Sequence, residues 1–187
     1  RNRATLAGNI ANASPIADMT VLLLALGAEL IIKNDHGSSR TLPLLNTFIG
    51  YKKLAINSDE RIDAIMIPAK ALKISFEKVS KREHLDIATV NSALAVEEAR
   101  DGTIKQARLA IGGVAPIPLV IEETAAILQG SKPAAERILQ AAEHAQAAVS
   151  PITDVRGTSE YRKRLVYRLV LAHAIRFWPE REEELLP

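Results

Sequence analysis

The residues best suited to holding a ligand lie near the start of this 187-residue chain, in the small and polar stretch 5–13. Gly8 has no side chain, so the backbone can come close to a bound molecule there. Thr5 and Asn9, on either side of Gly8, can form hydrogen bonds through their side chains. The stretch therefore suits either close contact with a ligand or an ordinary turn before the helix that follows.

The inventory of reactive side chains excludes several kinds of chemistry. The chain contains no cysteine, which rules out disulfides, cysteine-ligated iron–sulfur clusters and thiol catalysis within it. No Ser/His/Asp triad and no phosphate-binding P-loop pattern is present. The histidines lack the spacing of a metal site, and we interpret each as a surface or packing residue: His36, His84, His144 and His173.

Charge and hydropathy give no reason to expect a polyanionic or membrane partner. Lys and Arg number 24 against 22 for Asp and Glu, so we expect no nucleic acid partner. The basic cluster of Arg162, Lys163, Arg164 and Arg168 is interpreted as a solvated helix face. The longest apolar stretch, 21–26, is far shorter than the roughly 20 residues of a membrane span. No signal peptide is visible. The absence of cysteine is compatible with the cytoplasmic location that we expect.

Six stretches have the alternating or apolar pattern that is typical of strands. They span residues 29–34, 39–44, 61–67, 73–79, 86–97 and 103–112. Asp101 and Gly102 predict a tight turn, so the last three stretches are expected to form an antiparallel meander. Residues 46–53 are interpreted as a loop or a short helix.

Helices are predicted on both sides of these strands. Ser14 as N-cap and Pro15 in the first turn begin a helix that runs to about Leu26, with Gly27 as C-cap. Three more helices follow the meander, at 121–128, 132–149 and 158–177. Strands followed by helices indicate an α+β fold in which the helices pack on one face of the sheet.

Three groups of residues, in order along the chain, carry a resemblance to a known family. The first reads TLAGNIANASPIAD at 5–18. The second comprises GYKK at 50–53, Ile-Pro at 67–68 and FEKVSKR at 76–82. The third comprises GGVAPIP at 112–118 and DVRGTSEYR at 154–162. Together they resemble the FAD-binding subunit or domain of the xanthine dehydrogenase-type molybdenum hydroxylases.

The resemblance implies a domain organisation. The chain would correspond to the C-terminal two-thirds of such a flavoprotein. Residues 1–70 would be the C-terminal part of a flavin-binding α+β domain, and residues 71–187 would form the C-terminal domain, a three-stranded antiparallel sheet covered by helices. Because the chain starts at Arg1 rather than Met, we expect the missing N-terminal segment of the FAD domain, which carries a glycine-rich motif in relatives, to be a partner of this chain.

The resemblance also implies an electron-transfer function. In this family a substrate is oxidised at a molybdenum cofactor, electrons pass through [2Fe-2S] clusters to FAD, and the flavin reduces NAD or another acceptor. We therefore expect FAD on this chain, and the molybdopterin and [2Fe-2S] clusters on a molybdenum subunit and an iron–sulfur subunit or domain. The chain alone would be inactive as an oxidoreductase. The alternative hypothesis is a non-catalytic interaction fragment that docks on the molybdenum subunit with an incomplete flavin site.

Site residues are carried over by the same resemblance. The stretch 5–9 matches a loop that wraps the flavin dinucleotide, although Ala7 stands where the pattern has glycine, so the loop either binds more weakly or uses negative φ there. No catalytic residue or metal ligand is predicted. The predicted cofactor-binding residues are Thr5, Leu6, Ala7, Gly8, Asn9, Asp18, Ile62 and Lys78.

Three of these residues have an implied role and a structural alternative. Asp18 would accept hydrogen bonds from ligand hydroxyls, or would only complement a helix dipole. Ile62 would supply apolar contact to the flavin, or would be a core residue. Lys78 would raise the potential of a reduced, anionic flavin, or would be a surface lysine. Since successive strand residues point to opposite faces, only one of Glu77 and Lys78 can face the ligand.

Overall fold

The computed structural model describes residues 4–82 and 86–186, and within these ranges it contains both helices and strands. The strands are β1 (Glu29–Asn34), β2 (Ser39–Pro43), β3 (Phe48–Gly50), β4 (Lys53–Leu54), β5 (Glu60–Met66), β6 (Lys73–Ser80), β7 (Ala88–Glu98), β8 (Ile104–Gly112) and β9 (Leu119–Val120). The helices are α1 (Leu6–Ala11), α2 (Asp18–Leu26), α3 (Glu122–Leu128), α4 (Ala135–Ala148), α5 (Ser159–Phe177) and α6 (Glu182–Leu185). The predicted α+β class is confirmed.

The larger sheet contains the predicted antiparallel meander. Its strand order is β6-β7-β8-β9, with every neighbouring pair antiparallel. The first three strands are those expected from the sequence, and the two-residue strand β9 extends the sheet beside Ala110 and Ile111. Gly102 has a φ of +85° in the tight turn between β7 and β8. The three-stranded meander is therefore present, with one short strand added.

A smaller antiparallel sheet has the order β2-β1-β5. The bounds of β1 match the predicted strand 29–34. The prediction of a loop or short helix at 46–53 was wrong, because β3 and β4 pair there as a small hairpin. Lys52 turns this hairpin with a φ of +58°, a conformation that sequence patterns do not predict for lysine.

Helices cover both faces of the larger sheet. On one face, Leu94 and Val96 of β7 pack in a core with α3, α4 and α5, as predicted. On the other face, Ala93 and Ala95 pack against α2, which comes from the first part of the chain. The expectation of helices on one face only was therefore incomplete. The side chains of β7 that pack against α2 include the small residues Ala93 and Ala95.

Helix α2 begins later than predicted. It starts at Asp18, and Ser14 is not its N-cap; the Ser14 hydroxyl instead accepts a bond from the Ile16 N–H at 3.5 Å. The backbone before the helix is bound to the sheet, because the Gly113 N–H donates to the Pro15 carbonyl at 2.9 Å. These contacts hold the segment out of helical geometry. Gly27 ends the helix with a φ of +70°, as expected for a C-cap glycine.

Arg162 is buried, contrary to the prediction that its basic cluster is a solvated face. Its guanidinium donates to the carbonyls of Thr89, at 2.8 Å, and Gly113, at 2.9 Å, and to a carboxylate oxygen of Asp154. The side chain is 3% exposed, whereas Arg164 is exposed. Within the DVRGTSEYR motif, Arg162 thus pairs with Asp154, and its hydrogen bonds to the Thr89 and Gly113 carbonyls join α5 to the sheet. In the described part of the chain, no helix combines the length and apolar character needed to span a membrane.

Candidate functional site

A cavity of about 650 Å³ lies among α1, the segment before α2, the β3–β4 turn and the start of β7. This volume is within the range of roughly 300–1,000 Å³ that is typical of ligand pockets. Its polar lining side chains include Asn9, Asn12, Ser14, Asp18, Lys52 and Arg156. The cavity therefore brings together amides, a hydroxyl, a carboxylate and cationic groups.

The predicted loop at 5–9 is instead the start of α1. Thr5 is its N-cap, and the Thr5 hydroxyl oxygen accepts a bond from the Gly8 N–H at 2.9 Å. A Cβ at Gly8 would lie 2.9 Å from that oxygen, so this glycine makes room for the cap. Ala7 is helical with negative φ, which is one of the two alternatives left open for it.

Only one residue of the stretch 5–9 lines the cavity, and it is Asn9. Its side-chain oxygen accepts bonds from the Thr20 N–H at 3.1 Å and from the Thr20 hydroxyl at 3.0 Å. Leu6 is 42% exposed at the start of α1 and is not part of the lining. The short helix therefore serves to present Asn9.

Asp18 and Lys78 form an ion pair at the edge of the cavity. The Lys78 ammonium donates to the Asp18 Oδ2 atom at 2.8 Å, and the two side chains are 27% and 38% exposed. The side-chain nitrogen of Asn91 donates to the Asp18 Oδ1 atom at 2.6 Å and to the Ile16 carbonyl at 3.2 Å. Asp18 is thus held from both sides while it still lines the cavity.

The structure places Lys78 and Glu77 on opposite faces of the larger sheet. Lys78 reaches Asp18 on the α2 side, whereas Glu77 accepts a bond from Ser75 and lies 3.8 Å from Arg176 of α5. Ile62, in contrast, lies in β5 and packs against the core that contains α2. It is not part of the cavity lining, so the predicted residues are brought together only in part.

Several residues of the site had not been predicted from the sequence. Asn91 is fully buried in the middle of strand β7, and a large polar side chain within a strand that is buried over most of its length is a detectable signal. Lys52 donates to the Asn12 carbonyl at 2.6 Å and to its side-chain oxygen at 3.1 Å. Arg156 lies far along the chain, and only the tertiary structure brings it to the cavity.

Backbone strain is concentrated beside the cavity. Among the described residues, the non-glycine positions with positive φ are Ala13, at +46°, and Lys52, at +58°. Such a conformation costs about 1 kcal/mol or more for a residue with a Cβ. Ala13 follows Asn12, which is the residue that Lys52 contacts. Strain of this kind is common at ligand sites, which supports a binding role for this region.

Both signs of charge are present at the cavity. Burial would raise the pKa of the Asp86 carboxyl, but hydrogen bonds from the Arg82 guanidinium and from the N–H groups of Arg82 and Ile87 lower it below its ordinary value. Asp86 therefore adds a fixed negative charge. Asp154 behaves similarly, because bonds from Arg156 and Arg162 outweigh burial and lower its pKa.

The described histidines lie outside the cavity lining. His173 is fully buried, and its ring nitrogens contact the Ser92 hydroxyl at 2.7 Å and the Ser75 hydroxyl at 2.8 Å. His144 contacts the Thr124 hydroxyl at 2.8 Å, and His36 is exposed. His84 lies outside the described residues. Over residues 4–82 and 86–186 there is no cluster of side chains that could hold a metal ion.

Two family models match the chain. The FAD binding domain in molybdopterin dehydrogenase matches residues 1–70, and the CO dehydrogenase flavoprotein C-terminal domain matches residues 75–176. The second match alone covers more than half of the chain.

Known proteins are similar over most of this chain. A nicotinate hydroxylase of Emericella nidulans is 36% identical over 95% of the chain, and xanthine dehydrogenase 1 of Arabidopsis thaliana is 33% identical over 88%. The chain spans 13% of the length of each of these relatives. A solved carbon monoxide dehydrogenase of Hydrogenophaga pseudoflava, which lacks the Mo-pyranopterin moiety, superposes with a TM-score of 0.85 at 30% identity; 91% of this chain and 59% of that one are covered.

Proposed function

The chain belongs to the FAD-binding flavoprotein family of the xanthine dehydrogenase-type molybdenum hydroxylases, and from this premise we propose that it is their flavin-carrying electron-transfer module. The family expected from the sequence is confirmed by the two matching models. FAD is accordingly the cofactor of this family's domain, and the relatives are oxidoreductases. The observation that carries the proposal is the cavity of Asn9 and Asp18, two residues within the FAD-domain match, whose lining is completed by residues of the C-terminal-domain match such as Arg156.

The side chains of the cavity fit part of an FAD molecule. FAD has hydroxyls, which need acceptors such as Asp18, and an anionic pyrophosphate, which needs donors and cations. The cavity contains both kinds of group, since Lys52 and Arg156 are also in its lining. Its open, mixed polar and apolar surface suits a ligand that has both a charged chain and ring systems.

Each of these side chains has a task in the proposal. Asp18, fixed by Asn91 and Lys78, accepts hydrogen bonds from ligand hydroxyls. Lys78 keeps a positive charge at the site, and Asn9 supplies a polar contact from α1. The other predicted residues act indirectly: Thr5, Leu6, Ala7 and Gly8 form the helix that presents Asn9, and Ile62 packs the core beneath.

FAD, when bound, supplies the redox chemistry, accepting electrons and passing them to an acceptor. We propose that the donors are [2Fe-2S] clusters and a molybdenum cofactor on other domains or subunits, and that the acceptor is NAD or another oxidant. We further propose that residues 1–70 complete a flavin domain and that residues 71–187 form a second domain. The chain alone would then show no substrate oxidation.

The second function is a non-catalytic fragment that docks on a molybdenum subunit. It is favoured by the exposed apolar side chains Ile152 and Val155, which are 71% and 88% exposed on the segment before α5. On this hypothesis the chain would not retain FAD.

An absorbance scan from about 300 to 550 nm decides between these functions. The purified chain is incubated with FAD, the excess is removed, and a retained flavin band is expected. We expect Asp18→Asn to weaken binding about tenfold, because it removes a charged acceptor. The matched control is Asp35→Asn, an exposed carboxylate in the turn between β1 and β2, which should leave binding unchanged. No retained band in the wild-type chain would contradict the flavin hypothesis.

A further inference from the structure

Helix α2 lacks a side-chain cap of its own. Its N-cap position is Ala17, whose side chain cannot accept a hydrogen bond. The first N–H groups of a helix have no acceptor within the helix. The Thr20 N–H is one of them, since the first internal bond of α2 runs from the Val21 N–H to the Ala17 carbonyl. The helix therefore needs an oxygen from elsewhere at this point.

Asn9 supplies that oxygen from eleven positions earlier in the chain. Its Oδ1 atom accepts both the Thr20 N–H, at 3.1 Å, and the Thr20 hydroxyl, at 3.0 Å. Thr20 is fully buried, so water cannot replace either contact. The opposite orientation of the amide would place its NH₂ group against the backbone N–H, which cannot accept a bond. The helix terminus thus determines which amide atom faces α2.

We infer that Thr20 is a positioning residue that makes Asn9 a hydrogen-bond donor to the cofactor rather than an acceptor. The amide is planar, so its nitrogen lies on the branch away from the oxygen that Thr20 holds. In the described part of the chain this nitrogen has no hydrogen bond, and Asn9 lines the cavity. The inference rests on the proposed function, and it specifies an acceptor atom of the ligand.

The recognised group is an oxygen or ring nitrogen that accepts a hydrogen bond. In FAD such atoms occur both in the pyrophosphate and in the flavin with its ribityl chain. Two partial ligands separate these sources: riboflavin lacks the phosphates, and ADP lacks the flavin. The partial ligand whose affinity depends on the Asn9 amide carries the acceptor.

The decisive variant is Asn9→Asp, tested by fluorescence titration with FAD, riboflavin and ADP. A carboxylate keeps an acceptor for both Thr20 donors, but it replaces the amide donor by a negative charge. We expect FAD binding to weaken by tenfold or more. If Asn9 instead offered an acceptor to the ligand, Asn9→Asp would bind FAD as well as the wild type or better, and the inference would be overturned.

A matched pair at Thr20 tests the positioning role. Thr20→Ser keeps the hydroxyl and should bind FAD within about twofold of the wild type. Thr20→Val keeps the shape and loses the hydroxyl, so it should weaken binding several-fold because the amide is held less firmly. Equal binding by the valine and serine variants would contradict a role for the hydroxyl.

A measurement without FAD tests the Thr20–Asn9 contact separately from the proposed FAD-binding function. The ¹³C resonance of the Asn9 side-chain carbonyl in the unliganded chain should shift in Thr20→Val and stay near its wild-type position in Thr20→Ser. An unchanged resonance in both variants would overturn the inference. Absence of FAD binding by the wild-type chain, together with the expected carbonyl shift, would reject the proposed function and the donor role while leaving the Thr20–Asn9 contact established.

Discussion

At the scale of the residue, burial determines whether a charged side chain faces solvent or makes structural contacts in the interior. Arg162 lies in a basic run that favours a solvent-facing interpretation, yet its guanidinium donates to two carbonyls and a carboxylate in the interior. Sequence patterns cannot distinguish it from Arg164, because both belong to the same short cluster on α5. What separates them is the position of each residue around the helix relative to the sheet, and that depends on how α5 docks.

Replacing Arg162 should therefore destabilise the fold. Arg162→Ala removes three charge-assisted contacts and leaves Asp154 without its buried partner, so we expect a loss of roughly 3–5 kcal/mol in the free energy of unfolding. The measurement is a urea denaturation series. Arg164→Ala, an exposed arginine on the same helix, is the control and should change stability by less than about 0.5 kcal/mol. Equal effects of the two substitutions would show that the interior ion pair is not formed.

His173 should make stability depend on pH. Burial, and secondarily the positive charge of Arg176, lower the pKa of its imidazole to about 3. The Ser75 hydroxyl donates its hydrogen to Glu77, so it accepts a hydrogen bond from the His173 Nδ1–H. The Nε2 atom of His173 accepts a hydrogen bond from the Ser92 hydroxyl. This geometry suits the neutral ring.

The sign of the effect follows from proton linkage. Below the ordinary histidine pKa of about 6.5 the unfolded chain binds a proton that the native chain does not, so stability falls by about 1 kcal/mol per pH unit down to about pH 3. Urea midpoints between pH 7 and 4.5 should show a shallower slope in His173→Gln. His36→Gln, which removes an exposed imidazole, should leave the slope unchanged. An identical slope in His173→Gln and the wild type would contradict a neutral native ring.

At the scale of the element, local patterns predicted the regular strands and helices better than the segments that build the site. The bounds of β1 follow from apolar residues between turn residues, and α5 follows from its N-cap and periodicity. The start of α2 could not be predicted, because hydrogen bonds from Asn91 and Gly113 hold the preceding residues. Such contacts join residues that are far apart in the sequence, and no local pattern encodes them.

The same limit applies to the candidate site. Asn9, Asp18 and Lys78 were predicted through the family resemblance, and the structure brings Asn9 and Asp18 to one cavity, with Lys78 bonded to Asp18. Ile62 was predicted with them but lies in a core away from that cavity. The predicted loop at 5–9 is a helix, because Thr5 is a good N-cap and Gly8 accommodates its oxygen.

Two glycines with the same backbone conformation provide a test of how the elements are joined. Gly102 and Gly113 both have a φ of +85°, but only at Gly113 would an added Cβ meet other atoms, at 2.6 Å from the Thr89 carbonyl oxygen. Gly102→Ala should cost about 1 kcal/mol for the backbone alone. Gly113→Ala should cost at least about 1–3 kcal/mol more, since the neighbouring backbone must shift. The measurement is a urea denaturation series, and equal losses would indicate that Gly113 does not lie close to the backbone of β7 at Thr89.

At the scale of the whole molecule, the larger sheet connects the two parts of the chain. Its β7 strand is buried on both faces, by α2 on one side and by α3, α4 and α5 on the other. Although the family models divide the chain near residue 70, the packing predicts that the two parts unfold together.

A single tryptophan allows this cooperativity to be measured. Trp178 is 4% exposed at the end of α5, and its fluorescence midpoint in urea should coincide with that of far-ultraviolet circular dichroism. Val21→Ala in α2 should lower both midpoints together, because it should reduce the free energy of unfolding by about 2 kcal/mol. Val155→Ala, at an exposed position, is the control and should change neither. A Trp178 midpoint that does not respond to Val21→Ala would show that the two parts unfold separately.

The small side chains beneath α2 have a further consequence. Ala93 and Ala110 face each other across β7 and β8 on that side, while Leu94 and Leu109 occupy the opposite side. The methyl groups of Ala93 and Ala110 thus determine the distance between α2 and the sheet. Because Asp18 begins this helix and lines the candidate cavity, the width of that cavity depends on Ala93 and Ala110, which are not part of its lining. A designed change in the width of the cavity would therefore begin with substitutions at Ala93 and Ala110, beneath α2.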